Sequence, residues 1–357
     1  MWFAVKRLAL GLLLIAGAAA VLLATDVRRS GPSAMPRIGI LQHASVPVLD
    51  DSVRGMLDGL SANGFRDGES ANITVYNAQG EMPAANAIAR DMTDGRFDIV
   101  ITTSTLSLQA VANANKAGRT MHVFGIVADP YAAGVGLDSA DPLGHPKHLV
   151  GQGILLPVGD IFDLARRMLP SLKTVGVAWD PAQANSRRFV EDARVACKKL
   201  GIELLEAQVE NTAGVKEAVE SLIGRGVQAV WAGGDITVSN AIDTVLTACR
   251  QAHIPVLSQL PGDPKRGTLF DIGFDYYQAG WMCGELAAQI LRGADPTIIP
   301  IREVNDIVPR TLFVNEKALH GLKDPWRIPD DLKRTANAYV DEAGVLHENR
   351  KDKSKKR

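Results

Sequence analysis

The sequence is poor in the residues and motifs that build metal centres and common active sites. Its 357 residues include three cysteines, and they show no CxxC or HExxH spacing, which argues against a zinc site. The nucleophile motif GxSxG, a Walker A loop and a strand-linked GxGxxG are also missing. Cys197, Cys249 and Cys283 each lie in a helix-like stretch, where a cysteine is typically a small buried apolar residue. We therefore expect no enzyme activity, no cofactor and no metal.

Positive charge is scarce in the body of the chain. Residues 37–346 carry 29 basic and 37 acidic side chains, a net charge of −8, although the whole chain has a net charge of only −1. An acidic body is a poor electrostatic match for phosphate backbones, so we expect no nucleic-acid partner. The 46% content of hydrophobic residues excludes widespread disorder, and the length suggests about two domains.

The two ends of the chain, unlike its body, have a net positive charge. Residues 1–24 combine the cations Lys6 and Arg7 with the uncharged run Leu8–Ala24, which is typical of a secretory signal peptide. An uncleaved N-terminal anchor is the alternative, because 17 apolar residues approach the length that spans a bilayer. Either way we expect a periplasmic or other extracytoplasmic location. Residues 347–357 are charged throughout and predict a basic disordered tail.

Between these ends, short β-branched runs alternate with amphipathic stretches of helical period. This order predicts an α/β protein with parallel sheets covered by helices on both faces. The pattern also repeats: 98–130 and 228–264 each read strand, polar turn, helix, strand and then a final Asp-Pro. We therefore expect two doubly wound parallel-sheet lobes with a ligand cleft between them, at the carboxyl ends of the strands.

One segment connects the chain with a known family. Gly267–Gly280, GTLFDIGFDYYQAG, resembles the segment G-A-L-A-x-x-G-F-D-Y-Y-x-x-G of an ABC-transporter substrate-binding family. Studied members of that family take up tryptophan and related aromatic amino acids. Shorter matches fall in the same order, among them Asp129-Pro130, Asn185-Ser186 and Val314-Asn315, so the resemblance covers about residues 37–342.

The resemblance implies the type I periplasmic-binding-protein fold, in which the chain crosses three times between the lobes. The crossings are expected near Gly151–Leu155, Gly267–Asp275 and Ile301–Asn305. One lobe then comprises 37–152 plus 274–300, with Tyr276–Leu291 as a helix that returns to it. The other lobe comprises 153–270 plus 301–342.

The implied function is that of an extracytoplasmic solute-binding component of an ABC uptake transporter. It would bind a small amino-acid-like ligand, with an aromatic amino acid as one option, by closing its lobes. It would then dock on an ABC permease in the inner membrane. The alternative is a ligand-sensing bilobed module for a membrane receptor, which the sequence alone does not separate from transport.

An amino acid brings a carboxylate and an ammonium into a closing cleft, and each charge needs a partner there. Thr103, Ser104 and Thr105 precede a predicted helix, whose free N–H groups and positive dipole end can bind the carboxylate. A plain helix cap is the alternative for this turn. For the ammonium we expect Asp235, which follows Gly233-Gly234, and Asp129 as the second choice.

Further candidates come from the family motifs and the strand ends. Asn185 and Ser186 match the family's Asn-Ser at the start of a helix and could hydrogen-bond the ligand, or only cap that helix. Phe274 and Asp275 lie at a predicted crossing, with Asp275 as a cleft-edge residue, and Gln42 ends the first strand on the cleft rim.

Three departures from the family pattern concern the pocket. The family commonly has Thr-Pro where this chain has Thr105-Leu106, an Asn-rich turn in place of Asp235-Ile236, and Asn in place of Asp180 before Pro181. Leu106 and Ile236 make the expected pocket more apolar. Trp179 and Trp231 end strands and could stack on an aromatic ligand, although buried packing is the commoner role of tryptophan. Tyr277 is expected in the core.

Overall fold

The computed structural model of the protein describes residues 35–349. The predicted signal segment and the end of the predicted tail, from Arg350, lie outside these residues. Strands and helices alternate along most of the described chain.

The strands are β1 (Arg37–Gln42), β2 (Asn72–Asn77), β3 (Ile99–Thr103), β4 (Met121–Val127), β5 (Leu149–Gly153), β6 (Thr174–Trp179), β7 (Glu203–Gln208), β8 (Ala229–Ala232), β9 (Val256–Ser258), β10 (Phe270–Phe274), β11 (Arg302–Glu303), β12 (Arg310–Asn315), β13 (Ala338–Val340) and β14 (Leu346–Glu348). The α-helices are α1 (Pro47–Ala62), α2 (Met82–Met92), α3 (Thr105–Ala114), α4 (Gly159–Met168), α5 (Ala184–Leu200), α6 (Val215–Gly224), α7 (Ile236–Asn240), α8 (Ile242–Gln251), α9 (Tyr276–Leu291) and α10 (Asp330–Thr335).

The first sheet has the order β11-β5-β4-β3-β1-β2, and all its pairs are parallel. Its inner strands are buried on both faces, as the residues that alternate along β1 show. Ile38 and Ile40 pack with α1 and α9, whereas Leu41 packs on the opposite face with α2 and α3. We call this sheet with its helices the first lobe.

The second sheet has the order β14-β13-β12-β10-β9-β8-β6-β7. The pairs β10–β12 and β13–β14 are antiparallel and the others are parallel. Val177 and Trp231 face the side covered by α4 and α5, whereas Val230 and Val256 face α6 and α8. We call this sheet with its helices the second lobe. The predicted α/β architecture of two mostly parallel sheets is confirmed.

The exact limits of the lobes remain a proposal. Sheet membership moves two of the predicted limits by a few residues, because Phe274 pairs within the second sheet and Arg302 and Glu303 pair within the first. The helix α9 follows β10 of the second sheet and packs against α1 of the first lobe, so the chain crosses between the lobes at Asp275.

Two local predictions were wrong. The sequence predicts one helix over Thr237–Ala252, but the structure has two, because Asp235 caps α7 at its start and the backbone leaves helical geometry at Ala241. The predicted disordered tail begins too early. His347 lies in β14, stacks on Tyr339 with 4.5 Å between ring centroids, and pairs with Asp341 at 2.7 Å. The three cysteines are buried free thiols, as predicted.

Candidate functional site

A cavity lies between the lobes, at the carboxyl ends of strands from both sheets, and we call it the cleft cavity. Its space, with the open solvent at its mouth included, is about 530 Å³. Its apolar lining includes Leu106, Ile126, Ile154, Phe189, Ile236 and Leu260. The polar side chains of the lining are those of Ser104, Thr105, Asn185 and Tyr276. Among the described residues, no charged side chain lines it.

The lobes touch each other around this cavity. Val48 and Leu106 of the first lobe share an apolar cluster with Ile236 of the second. Nearby, a Cβ atom placed on Gly80 would lie 2.8 Å from the side-chain nitrogen of Asn240, across the cleft. The structure therefore shows the lobes in contact beside the cleft cavity.

The turn between β3 and α3 divides the three predicted hydroxyl residues. Thr103 points away from the cavity, since its Oγ1 lies 2.7 Å from Oγ of Ser52. Ser104 caps α3 by accepting a hydrogen bond from Ser107 N at 3.2 Å, and it lines the cavity together with Thr105. Ser104 has φ of 116°, a region that favours glycine. Backbone strain of this kind costs about 1–3 kcal/mol and tends to occur at functional sites.

Asn185 reaches the cavity from the second lobe, at the start of α5. Its Nδ2 donates to the carbonyl of Gly234 at 3.1 Å. Its Oδ1 is buried and has no hydrogen-bond partner within residues 35–349. An unsatisfied buried acceptor is costly, so this atom is suited to receive a donor from a ligand. Ser186 points elsewhere and donates to Asp235 Oδ2 at 3.1 Å.

Asp235 is sealed inside the second lobe. Its side chain accepts hydrogen bonds from Val238 N at 2.7 Å and Asp180 N at 3.4 Å, besides that from Ser186, and the residue is only 1% exposed. Burial raises its pKa to about 7, against the lowering effect of these donors. The residue does not line the cleft cavity, so its predicted contact with a ligand ammonium would require the turn to rearrange.

Asp129 is engaged across the cleft. It follows β4 of the first lobe and forms an ion pair with Arg188 on α5 of the second lobe. Arg188 also pairs with Asp192 on its own helix at 3.0 Å. Asp129 therefore joins the two lobes in this structure, and its carboxylate already has a cationic partner.

The structure leaves the other predicted residues outside the cavity lining. Gln42 is buried and donates to Ala44 O and Asp50 Oδ1, at 2.9 and 2.6 Å. Phe274 is buried in the core of the second lobe. Asp275 caps α9 by accepting a hydrogen bond from Gln278 N at 3.2 Å. Their contacts with a ligand stay predictions.

The aromatic residues differ from expectation in one respect. Tyr276 lines the cavity, whereas Tyr277, expected in the core, is partly exposed and donates from its hydroxyl to Asp58 Oδ2 at 2.8 Å. Tyr277, the next residue of helix α9, faces outward, and the periodicity of the sequence alone did not predict this orientation. Trp231 is fully buried and packs edge-on against Phe162 at 5.4 Å, and Trp179 Nε1 donates to Glu206.

Phe189 and Leu260 are cavity residues that sequence reasoning missed. Phe189 lies on helix α5 and Leu260 follows strand β9, and both are ordinary apolar residues. Each belongs to the cavity only because the two lobes face each other there. Within residues 35–349, no helix is both long and apolar enough to cross a bilayer.

Residues 37–338 match the family described as "ABC transporter substrate binding protein". The chain belongs to this family. Its members are substrate-binding proteins rather than enzymes, and the match favours a solute-binding role over the sensor alternative. The "Tyrosine-binding protein" of Clostridioides difficile (strain R20291) is 27% identical over 296 residues, which is 83% of each chain.

Solved structures show the same fold. An ABC domain from Streptococcus pneumonia in complex with L-Trp has a TM-score of 0.78 at 23% identity, covering 86% of this chain and 100% of that chain. A ligand-free, open structure of a substrate-binding protein with adhesive properties from Clostridium difficile has a TM-score of 0.62 at 27% identity. That likeness covers 85% of this chain and 99% of the other. The predicted type I periplasmic-binding-protein fold is confirmed.

Proposed function

We propose that the protein binds an aromatic amino acid between its lobes and presents it to the permease of an ABC importer. The observation that carries the proposal is the uncharged, mostly apolar cleft cavity, which both lobes line at the carboxyl ends of their strands. Burial of an aromatic side chain there supplies binding free energy roughly in proportion to the apolar area removed from water. The tyrosine-binding relative and the L-Trp complex support this ligand class.

The polar atoms of the cavity would fix the ligand's orientation. Ser104 and Thr105 lie at the N-terminus of α3, where free N–H groups and hydroxyls can bind an acceptor atom of the ligand. Asn185 Oδ1 offers the complementary acceptor from the other lobe. A ligand that uses both would join the lobes, which is how binding would favour the closed form.

The contact between the lobes supports closure as part of this function. The TM-score of 0.62 to an open, ligand-free relative fits a chain whose own lobes are shut. The location that we propose is outside the cytoplasm, with residues 1–24 as the export signal.

Isothermal calorimetry with L-Tyr, L-Trp and L-Phe tests the proposal. Purified protein should bind at least one of them, and Asn185→Leu should weaken binding by about 10-fold or more, because it removes a hydrogen-bonding group from a desolvated site. Asn63→Leu is the matched control, since Asn63 lies at the end of α1, donates to Gly59 O and is outside the cavity lining. Binding of none of the three amino acids by the wild type would contradict the proposed ligand class.

A further inference from the structure

A second cavity adjoins the cleft cavity, and we call it the Asp271 cavity. The two share Val48 and Leu260 in their linings. The Asp271 cavity lies over the ends of β8, β9 and β10, and its space is also about 530 Å³ with open solvent included. Unlike the cleft cavity it is lined by charged side chains, those of Asp263, Arg266 and Asp271.

Asp271 is the buried charge of this cavity. It lies on β10 beside Ser258 of β9 and is 4% exposed. Its Oδ2 accepts a hydrogen bond from Thr268 Oγ1 at 2.8 Å. No Lys, Arg or His within residues 35–349 forms an ion pair with it, although a buried carboxylate normally requires a counter-charge.

The groups that face Asp271 leave its charge incompletely balanced. Burial, and to a smaller degree the nearby Asp263, raise its pKa to about 7, against the hydroxyls of Thr268 and Ser258 and the more distant Arg266. Arg266 is held at the edge of the cavity by its ion pair with Asp243 at 2.9 Å. A cation that entered the cavity would therefore gain a largely desolvated partner.

The contrast with Asp235 is informative, because both carboxyls are buried in the second lobe. Asp235 is sealed by backbone N–H donors and a serine hydroxyl, and it lines none of the cavities described above. Asp271 lines a cavity that shares Val48 and Leu260 with the lining of the cleft cavity. Of the two, Asp271 is the one that a ligand can reach without rearrangement.

We propose that the Asp271 cavity holds the ionic head group of the ligand, with its protonated amine at Asp271 and its apolar side chain in the cleft cavity. The inference rests on the proposed function and names its charge-recognition site. Arg266, which lines the same cavity, has the charge that suits the carboxylate of the same head group. The hydroxyls of Ser104 and Thr105 then face the distal end of the ligand instead of its carboxylate.

The test compares ligands with and without the amine on matched variants. By calorimetry, Asp271→Asn should weaken binding of L-Tyr by about 10- to 100-fold. Binding of 3-(4-hydroxyphenyl)propionate, which lacks only the amine, should change by less than about 3-fold. Asp235→Asn, which changes the other buried carboxyl of the second lobe and lines neither cavity, is the control and should retain the preference for the amine.

The measurements on the variant and on the wild type can each overturn the proposal. Unchanged L-Tyr affinity in Asp271→Asn, or equal losses for both ligands, overturns the proposal. If the variant fails to fold, the wild type still provides a test: its affinity for L-Tyr should rise between pH 5.5 and 8 as Asp271 ionises, with no such rise for the amine-free analogue. A flat profile for L-Tyr would also overturn it. Failure of the wild type to bind any amino acid would instead remove the proposed function on which the inference rests.

Discussion

The two lobes achieve tight packing by opposite means. In the first lobe, α1 and α9 meet through glycines, with Gly55 and Gly59 on one helix and Gly280 and Gly284 on the other. A Cβ atom at Gly280 would lie 2.0 Å from Ser52 O, and one at Gly284 would lie 2.2 Å from Met56 O. In the second lobe, large aromatic side chains pack between the sheet and its helices, with Phe162, Trp231 and Phe270 fully buried.

This difference follows from how the chain is routed. Helix α9 arrives from the second lobe and closes the first, so it must fit against a helix formed more than 200 residues earlier in the chain. Contact between backbones leaves no side chain that could adjust, whereas an aromatic core can partly repack. The first lobe should therefore be sensitive to added atoms, and the second to removed ones.

The largest effect should come from one added methyl group. Gly280→Ala should lower the free energy of unfolding by about 3 kcal/mol, at the upper end of overpacking costs, because the new Cβ atom meets backbone that cannot move independently. Gly224→Ala, at the end of α6 in the second lobe, is the matched control. Nothing lies within 4 Å of its Cβ position, so it should be neutral or stabilising by up to about 1 kcal/mol. Urea unfolding measures both, and equal effects of the two changes would refute the comparison.

Helix α9 shows which features of the fold could be predicted from the sequence and which could not. Periodicity and the family segment place the helix Tyr276–Leu291 with the bounds that the structure has. The role of its glycines could not be predicted, because it depends on which helix lies opposite. Most parallel strands were likewise predictable, since each carries its own β-branched run. The break at Ala241 was not, because 236–251 contains neither Gly nor Pro.

The residues of the candidate site also fall into two groups, those with a local sequence signal and those that depend on the tertiary structure. The places of Ser104, Thr105 and Asn185 in the cavity lining were predictable, because polar residues at strand ends and helix starts carry a local signal. Asp271 was not, because it occupies a variable position of the family segment and its chemistry comes from burial beside β9. The tertiary structure also assigned Asp129 a partner, Arg188, that lies 59 residues away in the sequence.

The lobes should also respond to pH in opposite directions. In the first lobe, His122 is fully buried with Nε2 2.9 Å from Thr102 Oγ1, and burial lowers its pKa to about 3. The unfolded chain binds this proton near pH 6.5, so stability falls as pH decreases, by about 2 kcal/mol at pH 5. In the second lobe, burial raises the pKa of Asp235 and Asp271 to about 7, so their contribution is full below about pH 4 and is lost as pH rises towards 7.

Two substitutions separate these opposing effects. His122→Gln should lose the rise in the free energy of unfolding between pH 5 and 6.5, so its stability should decline more steeply towards neutral pH than that of the wild type. Asp271→Asn should remove part of the decline towards neutral pH. Urea titrations at pH 5, 6 and 7 give the slopes, and a wild-type slope that neither variant alters would show that other groups control the pH dependence.

The smallest effect concerns the ion pair that connects the lobes. Asp129→Asn removes the partner of Arg188 in the first lobe, whereas Asp192→Asn removes only its partner on the same helix. Both residues lie outside the cleft cavity lining, so neither change touches the proposed ligand. Because the ion pair with Asp129 exists only when the lobes meet, its loss should raise Kd by about 2- to 5-fold, corresponding to a partly exposed pair worth up to about 1 kcal/mol. The effect should shrink in 0.5 M salt, since screening weakens the pair in the wild type. Equal changes in Kd for the two variants would mean that Arg188 acts through its own helix and does not hold the lobes together.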